Sequence, residues 1–314
     1  MTLVSASGFN VPIGGVTPST ITGQTLTQAG LYAQDQIKFD RFFLLLGLRN
    51  DWTTTVTDNR MTFTSTTQSD SHVSWRAGLV YEFENGIAPY VSYSTSFQPA
   101  IGVDRLGNPF KPITAEQYEA GIKFQPPGHK SFVMGSVYQL TQQNVLTTDP
   151  LNVLFQTQTG EIKSQGVEFS ATIVPTEGLN LVEAFSYNNP KITEGTASEI
   201  NHMPAFVPNV MASLWGDYTL QSGPLKGLQF GGGVRYAGFT YATSANTLQI
   251  PGYSLQDAMI GYDLGAISPR LEGVMAAVNA TNILNTQYVS ECSNATNCLY
   301  GQGALVLATL RKKF

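Results

Sequence analysis

Segments in which apolar and polar residues alternate recur along the chain, and the links between them are short and long in strict turn. A period of two puts successive side chains on opposite faces of a strand. From Val73 to Phe83 one face reads Val73, Trp75, Ala77, Leu79, Tyr81 and Phe83; the other reads His72, Ser74, Arg76, Gly78, Val80 and Glu82. The split recurs at Tyr118, Ala120, Ile122 and Phe124 against Gln117, Glu119, Gly121 and Lys123, and at Val167, Phe169, Ala171 and Ile173 against Glu168, Ser170 and Thr172. Phe42, Leu44, Leu46, Leu48 and Trp52 stand in the same way against Gly47, Arg49, Asp51 and Thr53. A soluble sandwich also alternates, so the links must separate the two readings.

About thirteen strands are expected, at 29–38, 42–56, 72–84, 87–97, 114–125, 129–141, 161–175, 179–189, 204–219, 227–239, 250–264, 270–283 and 300–314. The short links include Phe39-Asp40-Arg41, Asn85-Gly86 and Pro126-Pro127-Gly128, while the long ones cover 57–71, 98–113, 142–160, 190–203, 240–249 and 284–299. Antiparallel neighbours place successive links at opposite ends, so all tight turns fall at one rim and all long loops at the other. That asymmetry belongs to an all-β transmembrane antiparallel β-barrel, with tight periplasmic turns and long extracellular loops. A strand of about ten residues, tilted near 45°, spans on the order of 24 Å, which matches the apolar band of such a barrel. Trp52, Tyr81, Phe83, Phe97 and Phe124 near strand ends are candidates for its interfacial girdles. Asn85-Gly86 predicts a two-residue hairpin in which both residues take positive φ.

Composition supports strands and excludes other classes. Charged residues are 12% of the chain, and its mean hydropathy of −0.05 is what alternating strands average to. The longest apolar run, Phe42 to Leu48, is about a third of a membrane-spanning helix. A net charge of −5 argues against a nucleic-acid partner, which needs a basic face. Met1 to Gly15 lacks the pattern of a secretory signal, so an internal or truncated start is expected.

The stretch Gly30-Leu31-Tyr32-Ala33-Gln34-Asp35-Gln36-Ile37, with Gly47-Leu48-Arg49-Asn50-Asp51-Trp52 after the turn, resembles the mid-barrel hairpin of TonB-dependent siderophore receptors. Tyr90 to Pro99, Glu116 to Lys123, Ser164 to Glu168 and Asn282 to Tyr288 resemble that family's later strands, in the same order. The resemblance implies a barrel of about 22 strands around a plug domain. Of this the chain would supply the C-terminal part, ending on an aromatic residue, Phe314. Residues 1–28 are then expected to be an extracellular loop remnant and 29–314 a partial barrel without the plug. The implied function is ferric-siderophore uptake across the outer membrane, coupled to the TonB–ExbB–ExbD complex through the plug region. A passive porin is the alternative. A hydrolase using His72 is a third reading, although no nucleophile motif accompanies that residue.

Cys292 and Cys298 are the only cysteines and lie in the last long loop. In an exported protein they read as a disulfide, and zinc would need further ligands where no His is near. A two-cysteine final loop is similar to that of ferrichrome-type receptors, which favours a hydroxamate siderophore. Such ligands arrive with iron already wrapped in oxygen donors, so neither a protein metal site nor a cofactor is expected, and recognition falls to aromatic walls and hydrogen bonds. The candidate ligand-binding residues at the long-loop end are Phe97, Phe110, Phe155, Tyr236, Phe239, Tyr241, Tyr288 and Tyr300.

Overall fold

The computed structural model describes residues 21–149 and 155–313. Their wall strands are β1 (Thr22–Phe39), β2 (Phe42–Asn59), β3 (Thr64–Tyr81), β4 (Ile87–Gln98), β5 (Ile113–Phe124), β6 (Phe132–Thr148), β7 (Gln156–Ile173), β8 (Leu179–Glu194), β9 (Val210–Thr219) and β10 (Leu228–Ala237). After two short strands, β11 (Thr240–Tyr241) and β12 (Gln249–Ile250), come β13 (Tyr253–Asp263) and β14 (Val274–Thr281). The hairpin of β15 (Val289–Asn294) and β16 (Asn297–Tyr300) precedes the last wall strand, β17 (Leu305–Lys312). The wall is one 13-stranded sheet in the order β1 to β10, β13, β14, β17, and the short strands pair separately as β11–β12 and β15–β16.

The number and order of the wall strands follow the sequence pattern, whereas their ends differ and the four short strands β11, β12, β15 and β16 fall in or at segments expected to be links. Within the expected links 57–71 and 142–160, β2 runs on to Asn59 and β3 starts at Thr64, while β6 runs on to Thr148 and β7 starts at Gln156, because Thr-rich polar segments continue as strands. Threonine is stiff at χ1 and suits a pleated backbone whether or not its neighbour is apolar, so strand outlives the alternation. β1 likewise starts at Thr22, ahead of the boundary expected at 29. The aromatic end at Phe314 and most of the expected loop remnant lie outside the described residues.

The contacts divide the chain into two compact units. In residues 21–31 with 50–72, the Gln28 amide donates to Asp51 Oδ1 at 2.9 Å and the hydroxyls of Thr54 and Ser69 meet at 3.4 Å. In the larger unit, residues 32–49 with 73–313, the registers fix the two faces of the wall. Trp75, Tyr93 and Tyr118 stack on the apolar face, with ring centroids 4.6 and 4.7 Å apart. Phe42, Tyr81 and Phe83 form a second cluster beside the short links, at 4.7 Å for each contact. Between these belts Val91, Ile122 and Val137 keep more than half their surface exposed. So much aliphatic surface needs an apolar solvent. β4 and β5, of 12 residues each, run about 40 Å, or about 28 Å at a 45° tilt, enough to cross a hydrocarbon layer.

The polar face is built differently. Glycines there let a neighbour's ring lie flat on the backbone: Tyr90 covers Gly121, Tyr138 covers Gly166, and Trp215 covers Gly231 and Gly233. The Tyr90 hydroxyl donates to Glu119, Tyr138 to Asn188, and the Lys123 ammonium sits 4.8 Å from the Tyr90 ring centre.

The β3–β4 turn is wider than its Asn-Gly signature suggests. Gly86 has φ of 85° while Asn85 stays outside the left-handed region, and the Gly86 amide donates to Phe83 O at 3.0 Å. Asn85 instead turns its side chain inward to accept from the Ile87 amide at 3.2 Å. The result is a turn closed by one left-handed glycine instead of a two-residue loop.

A Cβ at Gly121 would stand 2.6 Å from Gly135 O and 2.7 Å from the Tyr90 ring, whereas one at Gly135 would approach nothing closer than 4.0 Å. Gly121→Ala is therefore expected to lower stability by about 1–3 kcal/mol. Gly135→Ala should cost clearly less, in paired denaturant titrations followed by tryptophan fluorescence; equal losses would contradict the platform geometry.

Candidate functional site

Where β10, β13 and β14 reach the long links, one charged pair organises the polar face. Register sets Gly233 opposite Asp257 and Arg235 opposite Leu255. Two positions apart in that register, the side chains still meet: Arg235 Nε lies 2.5 Å from Asp257 Oδ2 and its Nη2 3.1 Å from Oδ1, a bidentate contact. Asp257 Oδ1 also accepts from the Asn282 amide at 2.9 Å. Asn282 is the largest fully buried side chain among the described residues. Its Nδ2 donates to Thr286 O and Gln302 O at 3.0 and 3.1 Å, and its Oδ1 accepts from the Thr286 amide at 2.8 Å. One asparagine thus ties the link after β14 both to β13 and to the segment leading into β17, and no donor or acceptor of its side chain is wasted.

Two tyrosines flank this pair. The rings of Tyr253 and Tyr288 stack with centroids 4.0 Å apart, and Tyr288 lies across Gly301, where a Cβ would come within 1.9 Å of the ring. Tyr253 lies two residues before Leu255, the register partner of Arg235, and so shares its face. Two facing rings beside a guanidinium whose charge is already balanced suit a neutral, hydrogen-bonding ligand better than a free anion.

The two small hairpins form their own core. Ala242, Ile250 and Cys292 are buried together, with Leu248, Val289 and Cys298 against them. Cys292 and Cys298 face each other across β15–β16 and are joined by a disulfide. Closing so short a loop contributes about 2 kcal/mol in the chain-entropy view, which helps a cluster too small to hold itself.

The loop at 99–112 is held from both sides. Asp104 Oδ1 accepts from the Leu106 and Asn108 amides, each at 2.8 Å, and Oδ2 accepts from Asn108 Nδ2 at 2.9 Å. Arg105 pairs with Asp149 at 3.2 Å, and Asn144 Nδ2 donates to Pro112 O at 3.0 Å. Gln158 exchanges two hydrogen bonds with the Lys111 backbone.

The predicted ligand-binding residues separate on this framework. Tyr288 joins the polar-face cluster, and Phe239 and Tyr241 meet edge to face at 5.7 Å beside β11. Tyr300 is three-quarters exposed at the end of β16, and Phe155 is exposed just before β7. Phe110 is buried inside its own loop, with its ring over Gly102. Phe97 shares strand parity with Tyr93, and Tyr236 with Phe230 and Val234, so both belong to the apolar face. Aromatic type and loop-end position do not encode parity, which is why the list mixed the faces. Arg235, Tyr253, Asp257 and Asn282 were not among those candidates, although Arg235 is the one charge of β10 and Asp257 the one charge inside β13 ahead of its last residue, Asp263.

The profile of TonB dependent receptor-like β-barrels matches residues 4–283. The chain belongs to that family. The ferrichrome outer membrane transporter/phage receptor of Escherichia coli K12 is 38% identical over 287 residues, covering 91% of this chain and 38% of that protein. The ferrioxamine B receptor of Salmonella typhimurium strain SL1344 is 34% identical over 315 aligned positions, covering 98% of this chain and 44% of that receptor. The chain thus spans less than half the length of these relatives. Among solved structures, the ferric-catecholate import receptor Fiu of Escherichia coli K12 in its closed form superimposes with a TM-score of 0.73 at 21% identity, over 93% of this chain and 45% of Fiu. The siderophore receptor PiuA of Acinetobacter baumannii gives 0.74 at 21%, over 92% and 43%. The family is one of outer-membrane receptors, so the apolar face of the wall faces lipid.

The hydrogen bonds from Asn108, side chain first, with that of Leu106, hold the Asp104 carboxyl below the usual aspartate range. A depressed carboxyl stabilises the loop above the unfolded-state value, and the contribution disappears as pH falls through the lower folded value. The Leu106 and Asn108 amide shifts, followed by NMR, should titrate below an unfolded-peptide aspartate; a midpoint at or above that reference would contradict the loop geometry.

Proposed function

We propose that this protein forms the wall of an outer-membrane ferric-siderophore receptor, and that it binds a hydroxamate-type ferric siderophore on the outer side for TonB-driven import. The observation that carries this reading is the 38% identity to a ferrichrome transporter over 91% of the chain; relatives named for ferrioxamine support the same ligand class. The TonB–ExbB–ExbD partnership would act through a plug region distinct from the thirteen wall strands.

The geometry fits that ligand. Its iron is already saturated by oxygen donors, so the protein needs to recognise a polar organic shell. Tyr253 and Tyr288 offer ring faces and phenols, and Arg235 offers donors that remain after Asp257 is satisfied. Phe155, Phe239, Tyr241 and Tyr300 would extend the aromatic surface on the long-link side. The role is binding and not catalysis, and His72 is then a polar strand residue.

The test uses outer membranes from cells producing the protein. Radio-iron ferrichrome or ferrioxamine B should bind saturably, and a ferric catecholate should not compete. Tyr288→Ala should weaken binding about tenfold, the cost of losing one buried aromatic anchor. Tyr118→Ala, on the apolar face, should leave it unchanged. Absence of saturable hydroxamate binding, or equal effects of the two substitutions, would overturn the assignment.

A further inference from the structure

Midway along the lipid-facing side of β8 stands a carboxyl group that siderophore binding does not use. Leu179, Leu181, Glu183, Phe185 and Tyr187 share one strand parity, and Phe185 stands directly opposite Phe169 on the lipid face of β7. Leu179 pairs with Tyr218, whose ring meets Phe230 at 5.9 Å in an aromatic belt beside the short links. Tyr187, eight residues further along β8, marks the other edge of the hydrocarbon, in keeping with the interfacial preference of tyrosine. Glu183 lies halfway between these levels, about 13 Å along the strand from each, or about 9 Å along the membrane normal at a 45° tilt. It is exposed, and among the described residues it has neither an ion pair nor a hydrogen bond. Its directly opposed neighbours, Ala171 and Leu214, offer it no polar side chain. Between the two belts it is the one charged residue on this face of β7 to β10. A carboxyl group held in hydrocarbon without a partner is costly, which makes its retention a sign of a contact.

The surface beside Glu183 is shaped for close approach. Ala212 and Gly216 stand two positions either side of Leu214 on β9, and Gly232 pairs with Gly216 from β10. A Cβ at Gly232 would meet nothing nearer than 3.5 Å, so the backbone there is open. Phe185 and Tyr236 flank Ala212 in the register and, with Glu183, Leu214 and Val234, line a hollow of about 460 Å3. Small residues at such a place let a second membrane protein bring its backbone near. The contact surface runs over β8 to β10 and leaves the face of β7 to lipid.

Symmetry indicates which neighbour brings a hydrogen-bonding group to this depth. Two copies of the chain in one membrane both keep their long links outside, so a two-fold axis relating them runs along the membrane normal. That rotation leaves depth unchanged, and a residue beside the axis meets its own counterpart. Two carboxyl groups meeting there, each carrying its proton, exchange two O–H···O hydrogen bonds and leave no charge in the lipid. We propose that Glu183 joins two copies of this chain side by side in the membrane, each carboxyl group serving as the other's partner and the low surface of Ala212, Gly216 and Gly232 admitting the second wall. Because this surface lies on the outside of the wall, it is separate from the Tyr253–Tyr288 cluster and stands whether or not that cluster binds siderophore.

The experiment uses the full chain in outer membranes. Cys292 and Cys298 are joined to each other, so a single introduced thiol is the one that reacts. Leu214→Cys, directly opposite Glu183, should give a product of twice the chain's mass with a short bis-maleimide. Val91→Cys, on the lipid face of β4, should give several-fold less. Adding Glu183→Leu to Leu214→Cys should lower the linked fraction about tenfold, the effect of losing two hydrogen bonds inside the membrane. Adding Glu183→Gln instead should keep it, because two amides exchange the same pair of bonds. Leucine at position 183 takes a polar group out of lipid, so the wall still assembles. Equal linking from Val91→Cys and Leu214→Cys, a linked product of another mass, an undiminished yield with Glu183→Leu, or the same loss with Glu183→Gln would overturn the proposal.

Discussion

The whole wall depends on backbone pairing in a place where water cannot substitute for it. Every amide and carbonyl facing a neighbour must be bonded to that neighbour, because hydrocarbon offers neither donors nor acceptors. Continuous registers such as the twelve consecutive partners of β4 and β5 answer that requirement, and they free the two faces to serve different media. The apolar face needs only oily side chains and aromatic belts. The polar face must fill space next to the backbone without a conventional core, and it does so by laying Tyr90, Tyr138 and Trp215 over glycines of the adjoining strand. The same requirement acts on the edges: β1 and β17 stand first and thirteenth in the order. In an antiparallel sheet those positions run the same way, so antiparallel closure takes an odd number of further strands, in agreement with a family barrel of about 22.

The candidate site is a consequence of where the wall gives way to links. Arg235 and Asp257 occupy the polar parity of β10 and β13, and Asn282 converts their charge pair into an anchor for the following link. Tyr288 is fixed by that link on one side and by Gly301 on the other. Beyond it, the disulfide-closed hairpin and the β11–β12 hairpin share one small core, so the outer surface is assembled from pieces that each have their own support. A rigid aromatic surface loses little side-chain freedom on binding, which is the physical advantage of such an arrangement.

The sequence carried the fold because alternation is a local signal that survives without tertiary information. Strand number, order, and the face of Trp75, Glu119 and Val167 were legible for that reason, and Cys292–Cys298 was legible because an exported chain with two nearby cysteines has few other uses for them. The polar ends of β2, β3, β6 and β7 were not legible, since Thr, Ser, Gln and Asn dominate there and the apolar alternation breaks off. The candidate site was legible only in part. Tyr288 came from its type and position, but Tyr236 and Phe97 share those traits and face the other way. Separating them takes the register, which is a property of strand pairs. Arg235 and Asp257 needed the register too, since only the pairing of β10 with β13 brings the two charges within reach of each other.

The central claim is that one face of the wall meets lipid and the other water, residue by residue. Nitroxide labels placed singly from Gln165 to Ile173 along β7, in outer-membrane vesicles, would measure it through collision with oxygen and with a water-soluble nickel chelate. Oxygen accessibility should peak at 165, 167, 169, 171 and 173 and rise toward the strand's middle. The chelate should peak at 166, 168, 170 and 172. In-phase profiles, or low accessibility to both reagents on one face as in a dry packed core, would contradict the account.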